Sequence, residues 1–100
     1  MSGGSPLADQ LRNVCVGLRS DLIVTRHLYR DEPSYVLQDP LTFESQRFEA
    51  SDYELLLKIR PTLTLGLIFG QLVEERWLLP EDEEAFYQFV LELHRKRLLK

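Results

Sequence analysis

A chain of 100 residues with 44% hydrophobic and 28% charged side chains has the size and balance of one small folded domain, which excludes a disordered polymer. Its formal net charge of −4 argues against a general binder of nucleic acid or anionic membrane, since both need a positive field. Cys15 is the single cysteine, so no intrachain disulfide can form and a reduced, cytoplasmic setting is expected.

In chain order, Met1–Pro6 has the composition of a flexible leader or tag remnant. Leu7, Leu11, Val14, Cys15 and Leu18 then recur at helical spacing until Gly17 interrupts. Residues 1–17 are therefore expected as a leader or a short N-terminal helix, and residues 18–100 as the folded domain. Cys15 is expected to fill a small apolar gap. Leu22–Tyr29 (LIVTRHLY) is rich in β-branched and aromatic residues, with apolar side chains on both alternating faces. It predicts a strand partly covered on each side. Arg30-Asp31-Glu32-Pro33 predicts a polar turn, and Ser34–Gln38 an antiparallel mate.

From Tyr35 to Ile59 the period changes. Asp39-Pro40 breaks the second strand, and Phe43–Phe48 predicts a third, with its outer edge unpaired. Ser51-Asp52-Tyr53-Glu54 has the form of a capping box and predicts a helix from Ser51 to about Arg60, stopped by Pro61. Thr64 is placed to cap a second helix, Leu65 to about Trp77, in which Gly66 and Gly70 should admit a close neighbour. A third helix is expected from Pro80 to Leu99. Glu81–Glu84 lie at its positive end and His94–Arg97 at its negative end. The fold class is thus α+β: a three-stranded antiparallel sheet followed by three helices around Leu56, Ile68, Phe69, Leu72, Phe89 and Leu93.

No phosphate loop, C-x-x-C or H-E-x-x-H is present, and His27 and His94 fall in different elements. A non-enzyme without metal or cofactor is expected. The order of elements resembles the PqqD-like domains, also called RiPP recognition elements, which are winged-helix-like. So does the run YVLQDPLTFESQRFEASDYELL, followed by a Thr-capped helix. The likeness is strongest to the N-terminal modules of site-2-type membrane metalloproteases and HlyD-like secretion adaptors. It is carried by Tyr35–Asp39, Arg47-Phe48 and Ala50–Tyr53 and covers about Leu18 to Leu99. Arg60-Pro61 departs from the Asp-Gly turn usual in the family.

The resemblance implies that a leader-like peptide adds as an extra strand beside the third strand and lies against the last helix. The matching positions are Phe43, Ser45 and Arg47 on the strand, and Phe86, Val90, Leu93 and Arg97 on the helix. The expected partner is a peptide or protein segment, leader-like or intramolecular, with membrane contact only through a parent protein. A docking or homodimerisation domain is the alternative. A winged-helix DNA binder is the weakest reading, since the basic residues crowd one helix end.

Overall fold

The structure is a computed structural model describing residues 6–100, so the expected leader lies outside the described residues except for Pro6. The elements run α1 (Pro6–Leu11), β1 (Ile23–Tyr29), β2 (Glu32–Gln38), β3 (Ser45–Glu49), α2 (Ala50–Lys58) and α3 (Leu65–Glu74). A 3₁₀ turn (Pro80–Asp82) leads into α4 (Glu83–Arg95). The strands form one antiparallel sheet in the order β1–β2–β3, so the α+β architecture expected from the sequence is present. Leu37 and Phe48 carry the sheet into a core shared with Leu56, Ile68, Phe69, Leu72, Phe86 and Leu93, while Phe89 packs half-buried against it.

Several local expectations are corrected. Arg30 and Asp31 both have positive φ (53° and 65°), which closes β1 on β2 with a two-residue turn, and Glu32 and Pro33 belong to β2. Pro33 is tolerated there because it stands opposite Leu28, a pair that exchanges no hydrogen bonds, and β3 ends opposite Ser34. β1 is exposed along its whole length instead of partly covered, because the core is drawn from β2, β3 and the helices. β3 starts at Ser45; Phe43, with φ of 61°, lies in the preceding turn. The capping box at Ser51 is absent. β3 runs directly into α2, leaving Glu49 as an N-cap without a side-chain bond and Ser51 inside the first turn. Cys15 is exposed.

α3 and α4 end alike. Arg76 and Arg97 take positive φ (65° and 59°), and the next N–H reaches back into the last turn: Trp77 to the Leu72 carbonyl at 2.9 Å, Leu98 to that of Leu93 at 3.0 Å. Each is a Schellman closure with arginine where glycine is usual. α3 therefore stops before Trp77 and α4 before Leu99. The tail then turns back, and Leu99 bridges Leu18.

The N-terminal segment satisfies the first turn of α3. Leu65 N–H donates to the Val14 carbonyl at 2.8 Å, Gly66 N–H to the Arg12 carbonyl at 2.9 Å, and Leu67 N–H to the Thr64 hydroxyl at 3.3 Å. Gly66 is required for this: a Cβ there would lie 2.7 Å from Arg12 Cγ and 3.0 Å from its carbonyl oxygen, whereas one at Gly70 would meet nothing within 4 Å. Only half of the expected glycine contact exists.

Arg19 ties three distant pieces together. Its Nε and Nη2 donate to the two Asp21 carboxylate oxygens at 3.0 and 2.6 Å. Nη1 donates to Asp39 Oδ2 at 2.8 Å and to the Arg97 carbonyl at 3.0 Å. The guanidinium, and the Leu41 N–H on the other oxygen, hold the Asp39 carboxyl down to about 2, and Arg19 lowers Asp21 as well.

Two predictions follow from this packing. Gly70→Ala should stabilise the fold by about 1 kcal/mol, since it relieves an exposed helix glycine. Gly66→Ala should destabilise it by about 1–3 kcal/mol through overpacking against Arg12; urea denaturation of the two variants compares them directly. For Asp39, the native state binds fewer protons than the unfolded chain between about pH 4 and pH 2. Its stabilising contribution is complete above that window and lost as pH falls through it. The melting temperature should therefore drop more steeply between pH 4 and 2 in the parent protein than in Asp39→Asn.

Candidate functional site

The outer side of β3 is a sheet edge. Asp39 N–H donates to the Glu44 carbonyl at 2.8 Å, one step beyond the Gln38–Ser45 pair. By strict alternation Gln46 and Phe48 also exchange hydrogen bonds with β2. The N–H and C=O groups of Ser45 and Arg47 then point away from the sheet. Those groups are what an added strand would bond.

Side chains alternate with the same parity. Gln46 and Phe48 share the face of Leu37 and Tyr35, toward the helices. Tyr35 stacks on Tyr53 with ring centroids 4.0 Å apart and planes 11° from parallel, which pins the start of α2 to the central strand. Because β3 continues into α2 without a loop, the edge and the first turn of α2 form one wall. α4 forms the other.

Between them lies a groove of about 350 Å³. Phe48, Phe89 and Leu93 supply its apolar lining, and Ala85 and Gln88 its far side. A second depression of about 350 Å³ shares Asp52, Ala85 and Phe89 and extends the channel toward Leu55, Phe86 and Leu78. Charge is unevenly divided along it. Lys96 stands at one end, its Nζ 5.7 Å from the Phe48 ring centre, and Asp52 and Asp82 stand toward the other. Arg47 borders the groove, but its side chain lies on the far face of the sheet with its guanidinium 5.8 Å from the Tyr29 ring centre. Glu92, at the basic end, is paired with Arg95 at 2.9 Å.

The residues expected from the sequence are partly brought together. Ser45 and Arg47 lie on the free edge, Leu93 lines the groove, and buried Phe86 borders its extension. Phe43 is exposed on the turn before β3, where its N–H donates back to the Asp39 carbonyl at 2.8 Å. Val90 faces the opposite side of α4, in an apolar hollow with Leu11, Val14, Leu65 and Leu99. Arg97 lies beyond α4 in the closing turn, and Lys96 takes the rim position assigned to it. The helix face in question is Ala85–Phe89–Glu92–Lys96, one step round from the expected stripe. The clue was in the sequence: Phe86, Val90 and Leu93 form the apolar stripe that a core claims first, and a groove takes the mixed positions beside it.

A larger depression, about 430 Å³, opens between α2 and α3 beside Trp77 and Leu57. Four of its polar side chains are engaged with one another. Lys58 pairs with Glu75 at 3.8 Å and lies 5.2 Å from the Trp77 ring centre, and Arg60 donates to Gln71 at 3.1 Å. It also has no strand edge beside it. Among the described residues no cluster of His, Cys, Asp and Glu could hold a metal ion, and no helix is long and apolar enough to cross a membrane. Comparison with protein-family models, curated proteins and solved structures finds no match to this chain.

Phe86 and Phe89 should separate in their energetics. Phe86→Ala should cost about 3–5 kcal/mol as a core truncation, while Phe89→Ala should cost clearly less. Thermal or urea unfolding of the two variants reads the difference.

Proposed function

We propose that this domain is a non-catalytic peptide- or protein-recognition module of the PqqD-like kind. In this reading it adds an extended segment to the free edge of β3, with side chains lying against α4. The observation that carries the reading is the groove beside Ser45 and Arg47. An unpaired strand edge supplies main-chain bonds, and the adjoining apolar channel supplies side-chain selection. The N-terminal segment from α1 to Arg19 is bonded to α3 and to the tail instead, so it does not compete for the edge.

The charges refine the ligand. A segment with apolar residues at alternate positions fits the Phe48–Phe89 lining. An acidic group at the Lys96 end and a basic one at the Asp52–Asp82 end complement the channel. A cytoplasmic setting, as part of a membrane protease or secretion protein, belongs to the same reading. Ordering a free peptide offsets much of the contact energy, so the affinity is modest.

The test is selection of extended peptides from a displayed random library, followed by titration into ¹⁵N-labelled protein. Amide shifts should concentrate at Ser45, Arg47, Phe89, Glu92 and Lys96. Ser45→Pro, which removes an outward N–H and leaves the β2 ladder intact, should abolish binding while the remaining spectrum is preserved. Shifts concentrated instead on Leu57, Gln71 and Trp77 would transfer the function to the α2–α3 depression.

A further inference from the structure

The opposite edge of the sheet has a different character. In β1 the two-residue turn makes Tyr29 and Glu32 a hydrogen-bonded pair, so His27, Thr25 and Ile23 also face β2 with their main chain. The N–H and C=O groups of Val24, Arg26 and Leu28 point outward. Side chains on both faces are exposed: Leu28 is 66% exposed, Tyr29 58%, Ile23 49% and Val24 43%, with the Tyr29 ring also flanked by the Arg30 and Arg47 guanidinium groups at 5.4 and 5.8 Å. Edge strands are commonly shielded by charge, proline or a covering element. Here the one charged side chain between the apolar pairs that shares the face of Val24 and Leu28 is Arg26.

The order of side chains is symmetric about that arginine. Val24 and Leu28 lie two residues to either side of it, and Ile23 and Tyr29 lie three. We propose that β1 pairs antiparallel with β1 of a second copy of this chain, about a twofold axis through Arg26 and perpendicular to the sheet. In that alignment Val24 stands opposite Leu28 of the second copy, Ile23 opposite Tyr29, and Thr25 opposite His27, and the outward main-chain groups of both strands are satisfied together. Sliding by two residues in either direction relieves the Arg26–Arg26 opposition but sets Val24 against an arginine and separates Ile23 from Tyr29, so the alignment rests on its apolar matches.

The seam joins the sheets in the order β3–β2–β1–β1–β2–β3. Both β3 edges stay free at the outer ends, so the pairing does not rest on the peptide reading. One strand per chain makes a small interface, under about 1,200 Å² in total, and therefore a weak, concentration-dependent dimer. The two Arg26 side chains face each other across the axis and repel, which sets the salt dependence.

Sedimentation equilibrium of the full chain, over a concentration series reaching millimolar, should show a monomer–dimer equilibrium that tightens as sodium chloride is raised. Arg26→Thr should tighten it several-fold, and Leu28→Lys, which acts twice per seam, should weaken it about tenfold or more. In a Cys15→Ser background, Arg26→Cys should cross-link under mild oxidation, because hydrogen-bonded antiparallel partners have Cα atoms about 5.5 Å apart. Thr25→Cys in the same background should cross-link far less. A chain that stays monomeric throughout, in the parent and in Arg26→Thr alike, overturns the proposal. Cross-linking at position 25 equal to that at 26 overturns the alignment.

Discussion

The Arg19 guanidinium sets the spacing on which the groove depends. Its partners belong to the two walls: Asp39 closes β2 just before the chain turns into β3, and the Arg97 carbonyl lies in the closing turn of α4. One planar cation with its donors fixed in a fork holds these acceptors at 2.8 and 3.0 Å, while Asp21 keeps the fork oriented. Main-chain bonds on either side reinforce it, since Arg19 N–H donates to Leu98 and Lys100 N–H to Gly17, each at 2.9 Å. The end of α4 is thereby referred to the sheet. Lys96 reaches Phe48 across a distance set by this junction and not by packing alone.

The other end of the groove is held differently. There the Tyr35–Tyr53 stack and the uninterrupted passage from β3 to α2 fix one wall, and the Leu79–Asp82 turn delivers α4 to the other. The basic end is thus governed by the Arg19 fork, and the acidic end by aromatic packing together with the Leu79 N–H bond to the Asp82 carboxylate. Acidification weakens the first by protonating Asp39, while the Tyr35–Tyr53 stack, which involves no carboxylate, stays in place. A channel clamped by two unlike devices can loosen at one end without losing its floor.

Much of the architecture was legible because periodicity reports local geometry. The three strands, the Thr64 cap and the two long helices rest on alternation, on a threonine before an apolar run, and on acids and bases sorted to opposite helix ends. What escaped had non-local causes. Nothing near Arg19 marks it, because Asp39 is 20 residues away and Arg97 78. The exposure of β1 depends on how many strands the helices cover, which its own alternation does not record. Ser51 carried a valid capping pattern that lost to a simpler event, a strand continuing into a helix with Glu49 still extended. The residues expected from the sequence fall on β3, α4 and the turns beside them, while the lining of the groove runs one step around the helix from the expected stripe. Periodicity names the buried face well, and the groove belongs to its neighbour.

The two edges of one short sheet therefore present the same backbone groups in opposite settings. β3 has α4 beside it, so an added strand would have its side chains inspected by Phe48, Phe89 and the charges at either end. β1 has no such wall, and what it offers is main chain with apolar side chains on both faces. A wall selects a particular sequence; an open edge selects whatever is complementary to its own pattern, and a pattern symmetric about Arg26 is complementary to itself. Joining two copies at β1 would place two β3 grooves at the ends of one sheet with both helical layers on the same side, because the twofold is perpendicular to the sheet. A partner carrying two suitable segments would then meet two sites at fixed separation, and its second engagement would be intramolecular. On this geometry a modest groove affinity and a weak seam would reinforce each other without any new contact.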